Sequence, residues 1–266
     1  MNKIEIVNDE VISKNINDTI TLNVTMKNDF FNVNILEFHI VKDTTLEINY
    51  KSLTNSKLEI VIHVCPNVTF HLLEVREGIA AKVRYKYYLN ENSTTNVFLL
   101  EDADYTKEMT HIYLKEEGAT LNYYLKSFTK VPNDFDYIVN HEAKNTTSNL
   151  YLNSVSFEDG ESYITTSGFV PNGILDCTLN HMSRVIQLND KVSILKPNLF
   201  IDECNVSANH SAHIGQFSKE ELFYLQSRGI KKDDAISLLT KGFLCSYITN
   251  EDMLNKIGDG INRYWR

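Results

Sequence analysis

Nowhere in the 266 residues is there an apolar run approaching the roughly 18 residues of a membrane-spanning helix. The opening MNKIEIVNDEVISKNINDTITLNV has no basic segment leading into an uninterrupted apolar core, as a signal peptide would. These two absences set the expectation of a soluble, cytoplasmic protein with no membrane partner. The net charge is −9 and no basic block offsets it, which argues against a grip on phosphate backbones and so against a nucleic-acid partner. A glycine-rich phosphate loop is also missing, and the chain is not expected to bind ATP itself. Only four cysteines occur, Cys65, Cys177, Cys204 and Cys245, scattered singly and without the close pairs of a zinc or cluster cage. They read as free thiols of a reducing compartment.

Tryptophan occurs once, but 14 Tyr and 13 Phe stand beside 42% apolar and 23% charged residues, a composition that folds and is not that of a disordered chain. Before about residue 204 no helix-length apolar stripe appears, which disfavours a doubly wound α/β sheet. What stands there instead is short alternation broken by polar turns. KLEIVIHV places Leu58, Ile60, Ile62 and Val64 at period two, and AKVRYKYYL sets Val83, Tyr85 and Tyr87 against Lys82, Arg84 and Lys86. Glu116, Glu117 and Gly118 divide two further strands, as do Glu158, Asp159 and Gly160, then Pro171, Asn172 and Gly173. Strands that turn every ten residues or so fit a sandwich, a barrel or a β-solenoid. Asn205 and Asn209 read as turn or ladder positions, because asparagine can hydrogen-bond along stacked turns.

After Gly215 the period changes. Ser218 with Glu221 is a capping box, Leu222 and Leu225 share a face, and Gly229 stops the helix. Asp233 and Asp234 open a second helix with Ala235, Leu238 and Leu239 on its apolar side, and Thr249 opens a third with Met253, Leu254, Ile257 and Ile261. Helices this short must pack on the β body or on another protein. The domains expected are a β core over 1–215, its N-terminal part weakly assigned, and a helical segment over 216–266.

His210 and His213 would face opposite ways on a strand, and a metal site there would need further ligands from Asp202, Glu203 or Cys204. His63 and His71 read as structural histidines. His141 and Glu142 are adjacent and seldom converge for that reason. His181 near Cys177 lacks an orienting third residue. Arg228, beside Phe223 and Tyr224, suits either a helix C-terminus or a docking anchor.

The stretch KPNLFIDECNVSANHSAHIGQFSKEELFYLQSRGIKKDDAISLLTKGF resembles the C-terminal core of the SufB/SufD family of iron-sulfur cluster assembly proteins. Pro197, Leu199, Ile201, Val206, His210, Ala212, Gly215, Phe223, Tyr224, Ser227, Arg228, Gly229 and Ile230 match the family pattern of a proline-led strand, a histidine, and F-Y-L-x-S-R-G-I. His141, Ser148 and TTSGFVPNG are similar to its upstream segments. The resemblance implies an all-β class, a right-handed parallel β-helix followed by a small C-terminal helical domain. It also implies a non-catalytic scaffold that pairs with a SufB-like paralogue, or a second copy of itself, and docks a SufC-like ATPase through Phe223, Tyr224, Arg228, Gly229 and Ile230. Leu225 and Ser227 are more like the SufD branch, and Met182 falls near the position of the SufB branch's essential cysteine.

By the same resemblance His210 is the candidate for facing a transient iron-sulfur cluster shared with the partner, and for ligating its metal. Cys177, Cys204 and His213 are weaker sulfur or ligand candidates. Ser211 and Ala208 depart from the pattern at a motif glycine and at a position where SufD-like members often have cysteine. The competing readings are an autonomous iron or metal-binding protein and a purely structural paralogue.

Overall fold

A computed structural model describes residues 2–8, 10–27, 33–53 and 56–265. In chain order the elements are β1 (Asn2–Val7), β2 (Glu10–Asn15), β3 (Ile20–Lys27), β4 (Val33–Ile40), β5 (Thr44–Ser52), β6 (Ser56–Val64), β7 (Thr69–Leu89), β8 (Thr94–Leu114), β9 (Thr120–Thr129), β10 (Asn133–His141), β11 (Thr147–Ser156), β12 (Ser162–Val170), β13 (Cys177–Gln187), β14 (Ile194–Ile201) and β15 (Val206–Gly215). Three helices follow, α1 (Lys219–Ser227), α2 (Lys232–Leu244) and α3 (Glu251–Tyr264).

The strands form a parallel β-solenoid. One face runs β5, the first half of β7, the first half of β8, β9, β11, β13 and β15. The other runs β4, β6, the second halves of β7 and β8, β10, β12 and β14. At the N-terminal end the pairing becomes antiparallel, β1 with β2 and β3 with β4. Of the three β architectures left open by the alternation, the register selects the solenoid.

Across five successive turns one corner is built alike. Asn67, Asn92, Gly118, Asn145 and Asp176 all hold a left-handed backbone, and each lies two residues before a threonine of one stacked column, Thr69, Thr94, Thr120, Thr147 and Thr178. Glycine, asparagine and aspartate tolerate that conformation at least cost. The amides of Asn67, Asn92, Asn145 and Asp176 each donate to a carbonyl in the next turn's corner, at 2.7–3.0 Å. On the outer face just beyond, Asn96, Asn122, Asn149, Asn180 and Asn209 form a ladder in which each side-chain amide donates to the one before, at 2.8–3.3 Å. The ladder position read for Asn209 is occupied. Asn205 instead donates to Asp176 across the corner, at 2.6 Å.

Inside, alternate residues make apolar columns, with Leu46, Leu72, Val97, Tyr123 and Leu150 in register on one face and Phe38, Ile62, Tyr87, Ile112 and Val139 on the other. Where β7 and β8 bend between the faces, Gly78 packs so tightly that an added Cβ would lie 1.8 Å from the Ser52 carbonyl oxygen. The bend also buries Arg76 completely. Its guanidinium donates to Glu74, Glu101 and Glu108, and Tyr85, Tyr123 and Thr110 donate to the same carboxylates. Burial pushes the Glu101 carboxyl up to about 7 against the pull of Arg76. Three acids around one base favour one of them holding its proton.

The helices close one side. Met253, Ile257 and Ile261 of α3 and Leu244 of α2 pack on Leu73, Leu100, Phe128, Val155 and Phe157. Gly260 lets α3 settle on the Phe128 ring, since a Cβ there would lie 2.5 Å from it. Arg263 and Tyr264 both donate to Asp102, at 2.7 and 2.6 Å. The capping box of Ser218 and Glu221 is present, and Gly229 turns the chain after α1. Two helix details differ from the pattern reading. Asn250, not Thr249, caps α3, because its side chain reaches the Met253 amide. Leu238 points to solvent while Ala235, Thr240 and Leu244 form the buried side of α2.

Asn149→Ala, in the middle of the ladder, removes two side-chain hydrogen bonds and is expected to cost about 1–2 kcal/mol. Asn209→Ala, at its end, removes one and should cost about half as much. Urea unfolding of the two variants side by side checks the order.

Candidate functional site

The last turn of the solenoid is open. Among the described residues β14 pairs only with β12, and β15 only with β13, so the outer edges of both strands present unpaired backbone groups. Phe200 and Ile214 on these edges are exposed.

The strand register decides where the histidines fall. His210 pairs with His181 and His213 with Arg184, so the two histidines of β15 lie on opposite faces and do not form one site. His210 continues the inward-facing column Leu150, His181, and stands exposed because no turn covers it. Cys204 is exposed on the preceding turn, where its amide and that of Asn205 donate to Glu203. Those amides and that of Gly173 hold the Glu203 carboxyl below its ordinary value, so this acid serves the turn. Met182 is on the outer face, half exposed.

Beneath His210 runs a chain of buried polar groups. Cys177 lies 3.3 Å from the Thr146 hydroxyl, His141 Nδ1 2.7 Å from that hydroxyl, His141 Nε2 2.9 Å from Ser148 Oγ, and Ser148 Oγ 3.2 Å from His181 Nε2. The proton positions follow from one end. Thr146 donates to the Ala143 carbonyl, at 2.9 Å, so it accepts from His141 Nδ1–H. His141 Nε2 must then accept from Ser148, and Ser148 from His181 Nε2–H. That leaves His181 Nδ1 as a bare lone pair, buried and without a hydrogen-bond partner among the described residues. Both imidazoles are neutral: burial pulls His141 down to about 3, with His181 adding to it, and burial with His210 pulls His181 down to about 4. Gly168 makes the room, since a Cβ there would lie 3.1 Å from the His181 ring. His141 and Glu142 do not converge, because Glu142 turns outward to Lys115.

The expected docking residues lie on α1 and its end. Phe223, Tyr224, Arg228 and Gly229 are exposed, Ile230 is half-buried, and the Arg228 guanidinium sits over the Tyr224 ring at 5.3 Å. α1 has no buried residue. No described helix is long and apolar enough to cross a membrane.

A second set of donors lies near the other end. Glu37, His39 and His63 offer one ligand atom each, all within 4.8 Å of one another. His63 had read as a structural histidine; only strand register brings it beside His39, and no local spacing signals that.

A family model described as the SufBD core domain of SUF system FeS cluster assembly matches residues 32–243. The chain belongs to this family. SufD, an iron-sulfur cluster assembly protein of Bacillus subtilis, is 31% identical over 109 residues, which are 41% of this chain and 25% of that protein. SufB of the same organism is 31% identical over 112 residues, 39% of this chain and 23% of SufB. A SufBD family protein of Staphylococcus epidermidis is 25% identical over 232 residues, 77% of this chain and 48% of that protein. The chain thus spans between about a quarter and a half of these relatives. Identity is the same toward SufB and SufD, so it does not separate the branches.

Below pH 6.5 an unfolded chain protonates both imidazoles, whereas the folded chain leaves them neutral down to about pH 4 for His181 and about pH 3 for His141. Their contribution is therefore intact above pH 6.5 and lost as pH falls, at up to about 1.4 kcal/mol per pH unit for each histidine. His141→Gln should be less stable at pH 7.5 but lose stability less steeply between pH 6 and 4.5. Urea unfolding across that pH series measures the two slopes, and equal slopes would contradict neutral burial.

Proposed function

We propose that the chain is a non-catalytic scaffold and interaction subunit of the SUF iron-sulfur cluster assembly machinery, more like SufD than SufB. The observation that carries this reading is the open last turn, where His210 extends the interior column beyond its last cover. Unpaired edges of β14 and β15 suit pairing with a SufB-like paralogue or a second copy. His210 would then face the nascent cluster, the cargo of the complex, and imidazole is a reasonable iron ligand. The lone pair of His181 Nδ1, one turn below, adds a second nitrogen near the same mouth. Cys177, Cys204 and His213 are the weaker candidates, since Cys177 is buried in the polar chain, Cys204 serves a turn and His213 faces outward.

The exposed Phe223, Tyr224 and Arg228 on α1 supply an aromatic and arginine anchor of the kind that dominates docking surfaces, with Gly229 and Ile230 completing it. On this reading a SufC-like ATPase docks there and this chain binds no ATP. Leu225, Ser227 and the thioether of Met182 support the SufD-like assignment, because a thioether forms no thiolate.

Anaerobic co-purification with a SufC-like ATPase and a SufB-like paralogue tests the arrangement: wild type is expected to retain both, and Arg228→Glu to lose the ATPase while keeping the paralogue. Binding of neither by wild type would set the reading aside. In the reconstituted complex, His210→Ala should lower cluster yield at least severalfold with unchanged thermal unfolding, and an unchanged yield would remove His210 from the site.

A further inference from the structure

On the outer face near the N-terminal end, strand register stacks His39, His63, Tyr88 and Tyr113 in one row. The His39 and His63 rings are 4.7 Å apart and nearly parallel, and Tyr88 lies 4.8 Å beyond His63. This is the spacing of neighbouring strands, so the backbone itself sets the rings face to face. Glu37, two residues before His39 and on the same side of β4, reaches both. Its Oε1 is 3.0 Å from His63 Nε2 and 3.6 Å from His39 Nε2.

A hydrogen bond accounts for the first distance and not for the second, which is too long. Ligands held about 2.1 Å from one ion sit roughly 3.0–3.5 Å from each other; Glu37 Oε1 is already near that spacing from both nitrogens, and the partly exposed His39 ring has only to turn out of its parallel stack for its lone pair to converge with that of His63. The competing cation is engaged elsewhere: Lys86, on the neighbouring row, holds Glu59 at 2.7 Å. All three side chains are about one-third exposed, so an ion could enter without disturbing the core.

We propose that Glu37, His39 and His63 bind one borderline divalent metal ion, of the ferrous iron and zinc class. Two imidazole nitrogens and one carboxylate oxygen are the donor set such ions prefer over calcium or magnesium. Three protein ligands on a convex face leave the remaining positions to water, so the ion exchanges readily. Tyr88 acts as a positioning residue that holds the His63 ring in the row. The site is separate from the solenoid mouth and does not rest on the assembly reading.

The test is an anaerobic titration of the full metal-free chain with Co(II), followed by visible absorption, with Zn(II) and Fe(II) then used as competitors. Wild type is expected to take up one Co(II) per chain and to release it to Zn(II) and to excess Fe(II). His39→Ala and His63→Ala should each weaken binding by more than the roughly 10–100-fold that outer partners are worth, and Tyr88→Leu by about 10-fold. His71→Ala, at a partly exposed histidine outside the row, should leave affinity and stoichiometry unchanged. No uptake by wild type, full affinity in the His39→Ala/His63→Ala double variant, or loss of the ion in His71→Ala would each overturn the proposal. Thermal unfolding of the surface variants confirms that they are folded.

Discussion

Five successive turns of this molecule depend on a residue that accepts a left-handed backbone at the same corner. Asn67, Asn92, Gly118, Asn145 and Asp176 meet that demand. Once each corner is set, the next strand starts in register, its amide finds the next corner's carbonyl, and inward and outward side chains are assigned for the whole turn. A slip of one residue would send an apolar row to solvent and an asparagine row into the core. The ladder from Asn96 to Asn209 is the visible consequence, because five asparagines align only if no turn has slipped.

Much of this was legible. Period-two alternation located Leu58 to Val64 and Val83 to Tyr87 as strands, and the break after Gly215 located the helices. The corner repeat was on the page too, as Asn, Gly or Asp two residues before Thr. Its interval varies between 25 and 31 residues, which hides it from a search at fixed period. Arg76, Glu74, Glu101 and Glu108 were not legible as core, since charged residues alternating with apolar ones read as a solvent face. His39 and His63 were beyond sequence reasoning for another reason. They meet only because two turns stack in a particular register, and local sequence carries no mark of it.

The interior is divided along its length. Toward the N-terminal end it is aliphatic, at the bend of β7 and β8 it holds a buried ionic cluster, and toward the open end it becomes a file of neutral hydrogen-bonding groups. In the file from Cys177 to His181 each donor dictates the next tautomer, so the Ala143 carbonyl, far along the chain, determines which nitrogen of His181 is bare. A lone pair held in this manner needs no reorientation to accept a proton or a metal, which is the preorganisation that polar sites in a low-dielectric interior require. The match to the family spans both this mouth and the histidine row at the opposite end.

The helices differ in what holds them. α3 is fastened by Asp102, by the Phe128 ring under Gly260 and by an apolar face, so lifting it would uncover core. α1 buries no residue and is joined to α2 through Gly229, whose left-handed backbone is tied back to Gln226. A load placed on α1 would therefore uncover almost no apolar surface of that helix. Such a load reaches the solenoid directly at its mouth, through residues 216–218 that join α1 to the end of β15, and by a longer route through α2 and α3 at the turns of Phe128 and Phe157.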